Sequence, residues 1–347
     1  MTSDPALETL FLPLERGEVA CAPGARVLFS RARAGAPLHP LFEAGLNCEQ
    51  SFAPDRDALT RAGHDVVAET DASGFDLVLV LPGRQRQEAR AQLARAVSKV
   101  KPGGVVIAAA ANTEGGKTLE ADLSALAGPV EKLSKHKCRA VWVRVEEAAR
   151  DAALVADWAA LDAVRPILDG AFVSRPGVFA WDRIDPASVL LIRHLPETLS
   201  GKGADLGAGI GVLARAVLER APKVTALDLY EAEKRALDLA ERNLRPSKDG
   251  VRLTGIWSDV TKGIEGPYDF IVMNPPFHQG GRADRADVGQ GFIRAAARGL
   301  RPGGTLYMVA NRHLPYEHNL AEVFATHQML ADESGYKVIR AVKAKGR

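Results

Sequence analysis

Cysteine is scarce in this chain. Cys21, Cys48 and Cys138 are the only three among 347 residues, odd in number and far apart. That excludes a disulfide framework and a thiolate metal cluster, and reads as free thiols in a reducing compartment, the cytosol. No motif below calls for a metal. Long apolar runs are missing too, so no segment has the length to cross a bilayer as a helix. The opening Met1-Thr2-Ser3-Asp4-Pro5 lacks the basic-then-apolar order of a secretory signal. Net charge is nearly absent: 45 Lys and Arg against 43 Asp and Glu leave +2, which by itself points to no partner. What is present, 46% hydrophobic and 25% charged residues, is the composition of a soluble globular protein, with length for two domains.

Charge is less even locally. Arg84, Arg86, Arg90, Arg95, Lys99 and Lys101 share one helix-like segment, and Lys132, Lys135, Lys137 and Arg139 share another. These read either as solvated faces or as a phosphate-binding surface on the N-terminal half.

The chain repeats itself. Phe75-Asp76 followed by the apolar run Leu77–Leu81 and Pro82 matches Tyr268-Asp269 followed by Phe270–Met273, Asn274 and Pro275. Lys101-Pro102-Gly103-Gly104 before one strand matches Arg301-Pro302-Gly303-Gly304 before another. The same order and similar spacing predict two copies of one α/β unit. The second copy has extra residues around His278 to Arg282, a candidate substrate cover. Glu146 to about Asp169 reads as a connecting helix. The boundary falls near 165, giving domains 1–165 and 166–347.

The copies differ where chemistry is expected. In the second, Asp205-Leu206-Gly207-Ala208-Gly209-Ile210-Gly211 forms a turn between a strand and the helix beginning at Val212. Glycines there let a ligand approach bare backbone. A strand from Lys223 is expected to end at Asp228, with Leu229 beside it, where an acid can accept from ribose hydroxyls. Ser258-Asp259 follows the next strand, and Asp259 is placed to accept from an adenine amine. A lone G-x-G-x-G also fits dinucleotide enzymes, but Asp205 would repel a pyrophosphate and suits the ammonium of S-adenosylmethionine.

Asn274-Pro275-Pro276-Phe277 follows the strand Phe270–Met273. Two prolines end the ladder and leave a stiff turn. Asn274 Oδ1 and the Pro275 carbonyl offer acceptors for the two hydrogens of an exocyclic amine, and Phe277 offers a stacking face worth about 1–3 kcal/mol. His278 is a weaker candidate for a general base. Arg282, Arg285 and Arg312 are candidate phosphate contacts, and Asn311 and His313 candidate pocket residues.

Phe179, the glycine turn, Asn274-Pro-Pro-Phe-His-x-Gly280 and Val309-Ala310-Asn311-x-x-Leu314-Pro315-Tyr316 together resemble the RsmC/RlmG family of bacterial ribosomal RNA guanine-N2 methyltransferases. The resemblance spans nearly the whole chain, whose length is nearer to the small-subunit enzymes. It implies two tandem Rossmann-like class I methyltransferase domains from duplication. It implies as well that the N-terminal copy is degenerate and helps bind ribosomal RNA or the small ribosomal subunit. It implies S-adenosylmethionine cradled by Gly207, Gly209 and Gly211, with Phe179 and Asp185 closing that pocket and Asn274 to Phe277 holding a guanine amine. Two residues depart from the family's pattern: Ala208 stands where a Cys is common, and Asp185-Pro186-Ala187-Ser188 lacks the usual glycine. Two alternatives stay open: an adenine N6 or protein glutamine acceptor, or a non-catalytic RNA-binding assembly protein. The sequence leaves the oligomeric state open and is compatible with a monomer.

Overall fold

The computed structural model describes residues 4–35, 46–245, 250–276 and 282–346, the side chains of 282–286 excepted. The chain divides into two compact units, Met1–Val164 with Arg175–Gly177, and Arg165–Ser174 with Val178–Arg347.

The first unit holds strands β1 (Val27–Ser30), β2 (Leu46–Glu49), β3 (Val66–Val67), β4 (Phe75–Val80), β5 (Val100–Ala111), β6 (Glu131–Lys135) and β7 (Cys138–Arg144). Its helices are α1 (Pro5–Glu15), α2 (Ala53–Arg61), α3 (Arg86–Lys99), α4 (Leu119–Ala127) and α5 (Ala152–Ala159). The second unit opens with a hairpin of β8 (Arg165–Ile167) and β9 (Phe172–Ser174). Its main sheet has β10 (Ser200–Leu206), β11 (Lys223–Glu231), β12 (Arg252–Trp257), β13 (Tyr268–Met273), β14 (Leu300–Asn311), β15 (Thr326–Glu333) and β16 (Tyr336–Val342). Helices α6 (Pro186–Arg193), α7 (Val212–Arg220), α8 (Lys234–Leu244), α9 (Arg282–Gly299) and α10 (Tyr316–Val323) accompany it.

The strand order is β3-β2-β1-β4-β5-β7-β6 in one unit and β12-β11-β10-β13-β14-β16-β15 in the other, one order used twice. β7 and β16 run antiparallel to their neighbours, and the other pairings within the five-strand body of each sheet are parallel. The duplicated α/β fold expected from the repeats is thus present. Each sheet is buried on both faces, as parallel sheets require. Along β13, Phe270 and Val272 enter one core, while Ile271 and Met273 enter the other. Along β4, Leu77 and Leu79 alternate with Val78 and Val80 in the same way.

Away from the cleft, the structure departs from the expected elements in two places. The helix expected over Glu146–Asp169 is confined to α5, which Asp151 caps by accepting from the Leu154 amide at 2.9 Å. A 3-10 turn at Ala160–Asp162 closes it, and Pro166 holds Arg165 in the extended backbone of β8. The Pro-Gly-Gly segments are bulges inside strands: Tyr268 pairs with Leu300 and Phe270 with Thr305, so Arg301–Gly304 loop outward. Gly103 and Gly303 hold the left-handed backbone this needs, at φ 74° and 76°.

Candidate active site

The second sheet's parallel strands end together. Leu206 pairs with Tyr230 on one side and Met273 on the other, so the glycine turn, the end of β11 and the Asn274 turn share the carboxyl edge. This is where open α/β sheets bind ligands. A cleft there is lined by Gly207, Gly209, Asp185, Ser188, Asn274 and Phe179. Phe179 stands at its lip, 56% exposed.

Gly207 and Gly209 have φ of 75° and 55°. A Cβ on Gly209 would meet nothing within 4 Å, so bare backbone faces open space. Gly211 serves otherwise. A Cβ there would lie 3.3 Å from the Cα of Ala240, so this glycine admits α8 against the turn and does not line the cleft. Asn243 on α8 fixes the arrangement, donating to Ile210 O at 2.9 Å and pairing with both backbone groups of Val173 in β9.

Asp205 is fully buried. Its Oδ2 accepts from the Ala214 amide in the first turn of α7 at 3.0 Å, and its Oδ1 has no partner among the described residues. Burial pushes its pKa up to about 7 against the pull of the Ala214 amide, and nearby Glu231 adds to the rise.

Asp228 does not end its strand. β11 runs three residues further, and the Asp228 side chain lies within the protein, 2.9 Å from Lys202 Nζ and accepting from Tyr268 Oη at 2.8 Å. Tyr268 in turn bonds Tyr230 Oη at 2.8 Å. Leu229 is likewise wholly buried in the core. Asp228 is corrected as the ribose-contacting acid by strand parity, and Leu229 as a cofactor-binding residue by its burial in the core. Asp228 and Tyr230 share one face of the sheet, while Glu231 lies on the opposite face, under the glycine turn. Glu231 Oε2 accepts from the Gly209 amide at 2.8 Å and Oε1 from the Glu233 amide at 2.9 Å. Burial raises its pKa in spite of those amides. Glu231 is therefore the acid beside the glycines that sequence reading missed. Counting alternate positions along an extended β11 would have found it.

Ser258 follows β12 with a buried hydroxyl that has no partner among the described residues. Asp259 caps the next turn, its Oδ1 accepting from the Thr261 amide at 2.9 Å and hydroxyl at 2.6 Å. Asn274 donates from Nδ2 to Asp185 Oδ2 at 2.8 Å and to Ser188 Oγ at 2.9 Å. Pro275 is buried and Pro276 half-buried. Phe277 and His278 lie outside the described residues, as do the side chains of Arg282 and Arg285. Arg312 pairs with Asp332, and Asn311 and His313 are not among the described residues lining the cleft.

Two raised carboxyls and an orphan oxygen below a glycine turn make a site for a cation and for hydroxyl donors, and a poor one for pyrophosphate. The residues present therefore fit the ammonium, sulfonium and ribose of S-adenosylmethionine.

The basic stretches of the first unit are largely spent internally. Arg84 pairs with Glu114, Arg86 and Arg90 with buried Asp122, Arg95 with Glu49 and Glu69, and Lys101 with Asp76. Lys99 turns inward to the carbonyls of Thr70 and Ala72. Lys132 and Arg139 share Glu120. Lys135 and Lys137, at the exposed β6–β7 turn, remain outward.

Comparison with known proteins agrees with this geometry. Residues 169–340 match the family model described as Methyltransferase small domain. Ribosomal RNA small subunit methyltransferase C of Salmonella paratyphi A is 32% identical over 282 residues, 81% of this chain and 79% of the relative. The Salmonella typhi protein of that name gives the same figures. A solved structure described as T. thermophilus 16S rRNA N2 G1207 methyltransferase in complex with AdoMet and guanosine superimposes with a TM-score of 0.80. It is 27% identical, covering 98% of this chain and 92% of that one.

Proposed function

Because this chain belongs to the ribosomal RNA small subunit methyltransferase C family, we infer that it transfers a methyl group from S-adenosylmethionine to the exocyclic N2 amine of a guanine in 16S ribosomal RNA. The observation that carries the reading is the single cleft shared by the glycine turn and Asn274. S-adenosylmethionine supplies an already electrophilic methyl. Gly207, Gly209, Asp205 and Glu231 would hold it, Ser258 and Asp259 would serve its adenine, and Phe179 would close the lip.

The lone pair of a guanine N2 is delocalised into the ring. Asn274 Oδ1 and the Pro275 carbonyl accept its two hydrogens and favour a pyramidal nitrogen as the new bond forms. Phe277 stacks on the base. The chain's contribution is alignment and hydrogen bonds that strengthen in the transition state. A guanine within a helix must be flipped out to reach such a cleft. The first unit acts as a scaffold for the RNA, with Lys135 and Lys137 as its phosphate contacts in place of the paired arginines of α3. The substrate sets the working compartment as the cytosol.

Labelled methyl transfer to naked 16S RNA and to separated subunits, followed by mapping, tests this. Label on a guanine N2 of small-subunit RNA is expected. Label on adenine or on a protein glutamine would replace the acceptor. No binding of S-adenosylmethionine by calorimetry would favour a non-catalytic assembly protein.

A further inference from the structure

The Asn274 amide is held in one orientation by two groups at the start of α6. Its Nδ2 donates to Asp185 Oδ2 at 2.8 Å and Ser188 Oγ at 2.9 Å. Asp185 is also the N-cap of α6, its Oδ2 accepting from the Ser188 amide at 3.1 Å. An ionised carboxylate can only accept, so the atom facing it must be the amide nitrogen. Both amide hydrogens are then engaged, and among the described residues Oδ1 accepts from none. Turning the amide by 180° would set Oδ1 against the carboxylate and present donors to the substrate. All three side chains line the same cleft. The first copy has none of this, because Leu81 stands in the place of Asn274.

We propose that Asp185 and Ser188 are positioning residues for methyl transfer, fixing Asn274 as an acceptor-only group so that the site takes an amine. This rests on the reading of an amine acceptor given above. Asp185 then acts on turnover through Asn274, and not on the cofactor as its place in the cleft first suggests. Asp185→Asn keeps the shape but can present a donor or an acceptor, which removes the selection.

The test is a double-mutant cycle of Asp185→Asn and Asn274→Ala, read by single-turnover methyl transfer at saturating RNA and S-adenosylmethionine, with cofactor Kd from calorimetry. Asp185→Asn is expected to slow transfer about 10- to 100-fold, to change Kd by less than about threefold, and to cost nothing further once Asn274 is alanine. A weaker Kd with unchanged rate overturns the proposal, as does an equal loss in the Asn274→Ala background. Should Asp185→Asn melt out, Ser188→Ala replaces it in the same cycle. There, coupling to Asn274 supports the role and additivity overturns it. A wild-type chain that labels some other amine sinks only the guanine assignment, and the cycle is then read on that amine. A wild-type chain that labels nothing sinks both.

Discussion

Acid placement is the residue-scale lesson. Glu231 and Asp228 are three positions apart on β11 and on opposite faces, so their substitutions should separate cleanly. Glu231→Gln removes a charged acceptor beside Gly209 and is expected to weaken S-adenosylmethionine binding about 10- to 100-fold. Asp228→Ala strands Lys202 and Tyr268 instead. It should cost about 3 kcal/mol of stability and leave the cofactor Kd within about threefold. Calorimetry and urea melts on both variants decide, and the reverse pattern would restore Asp228 to the ribose. Asp205 carries a pH signature. Its folded pKa of about 7 lies above an unfolded value near 4. Between those values the folded chain keeps a proton the unfolded chain has released. Stability without cofactor therefore falls as pH rises toward 7 and levels off above it. Urea melts of the wild type and Asp205→Asn from pH 5 to 8 should draw apart up to about pH 7, as the wild type loses ground to the neutral variant, and then run parallel. A constant gap would contradict the burial argument. The shared cleft of Gly207, Gly209 and Asn274 was legible because each motif's spacing is local, whereas the packing role of Gly211 was not. Asp228 was misread because nothing in the sequence marks where an apolar strand stops.

Elements explain why the repeat was visible at all. Asp76 accepts from the Arg26 amide at 2.8 Å and pairs with Lys101. Asp269 accepts from the Lys202 amide at 2.7 Å and pairs with Arg301. In each unit one carboxylate pins the start of the central strand to the Pro-Gly-Gly bulge. The aromatic-Asp and cation-Pro-Gly-Gly signatures are thus two ends of one contact. Asp269→Ala should lower stability by about 1–2 kcal/mol, with methyl transfer per folded molecule unchanged. A selective loss of turnover would show the pin to reach the cleft. The connecting helix was overestimated because alanine-rich composition does not reveal the Asp151 cap or the extended bias that Pro166 imposes.

At the scale of the whole molecule, one copy has lost its ligand site by filling it. Arg31 occupies the place of Gly207 and keeps a left-handed φ of 54°. It bonds Glu88 at 3.3 Å, and the Glu88 carboxylate is where a Cβ on Gly83 or Gly177 would fall. Phe29 takes the position of Asp205 and Gln50 that of Glu231. The degenerate character of this copy was legible from its missing glycines. The fate of the cations in its basic stretches was not, because their partners lie between 12 and 46 residues away in sequence. Arg90 binds buried Asp122 and lies 4.4 Å from the centre of the Trp158 ring. Arg90→Glu is therefore expected to lower Tm by several degrees, while RNA affinity at a fixed folded concentration holds. A drop in affinity with Tm intact would return α3 to the RNA-facing surface.

Both aspartate pins sit at the amino edge of their sheets, the far side from the cleft. Foundation and workshop are thereby housed at opposite ends of every strand. A duplicate freed from its chemistry could shed its ligand groups one after another without endangering its own assembly, and the surviving footings in the silent half are the trace of that freedom.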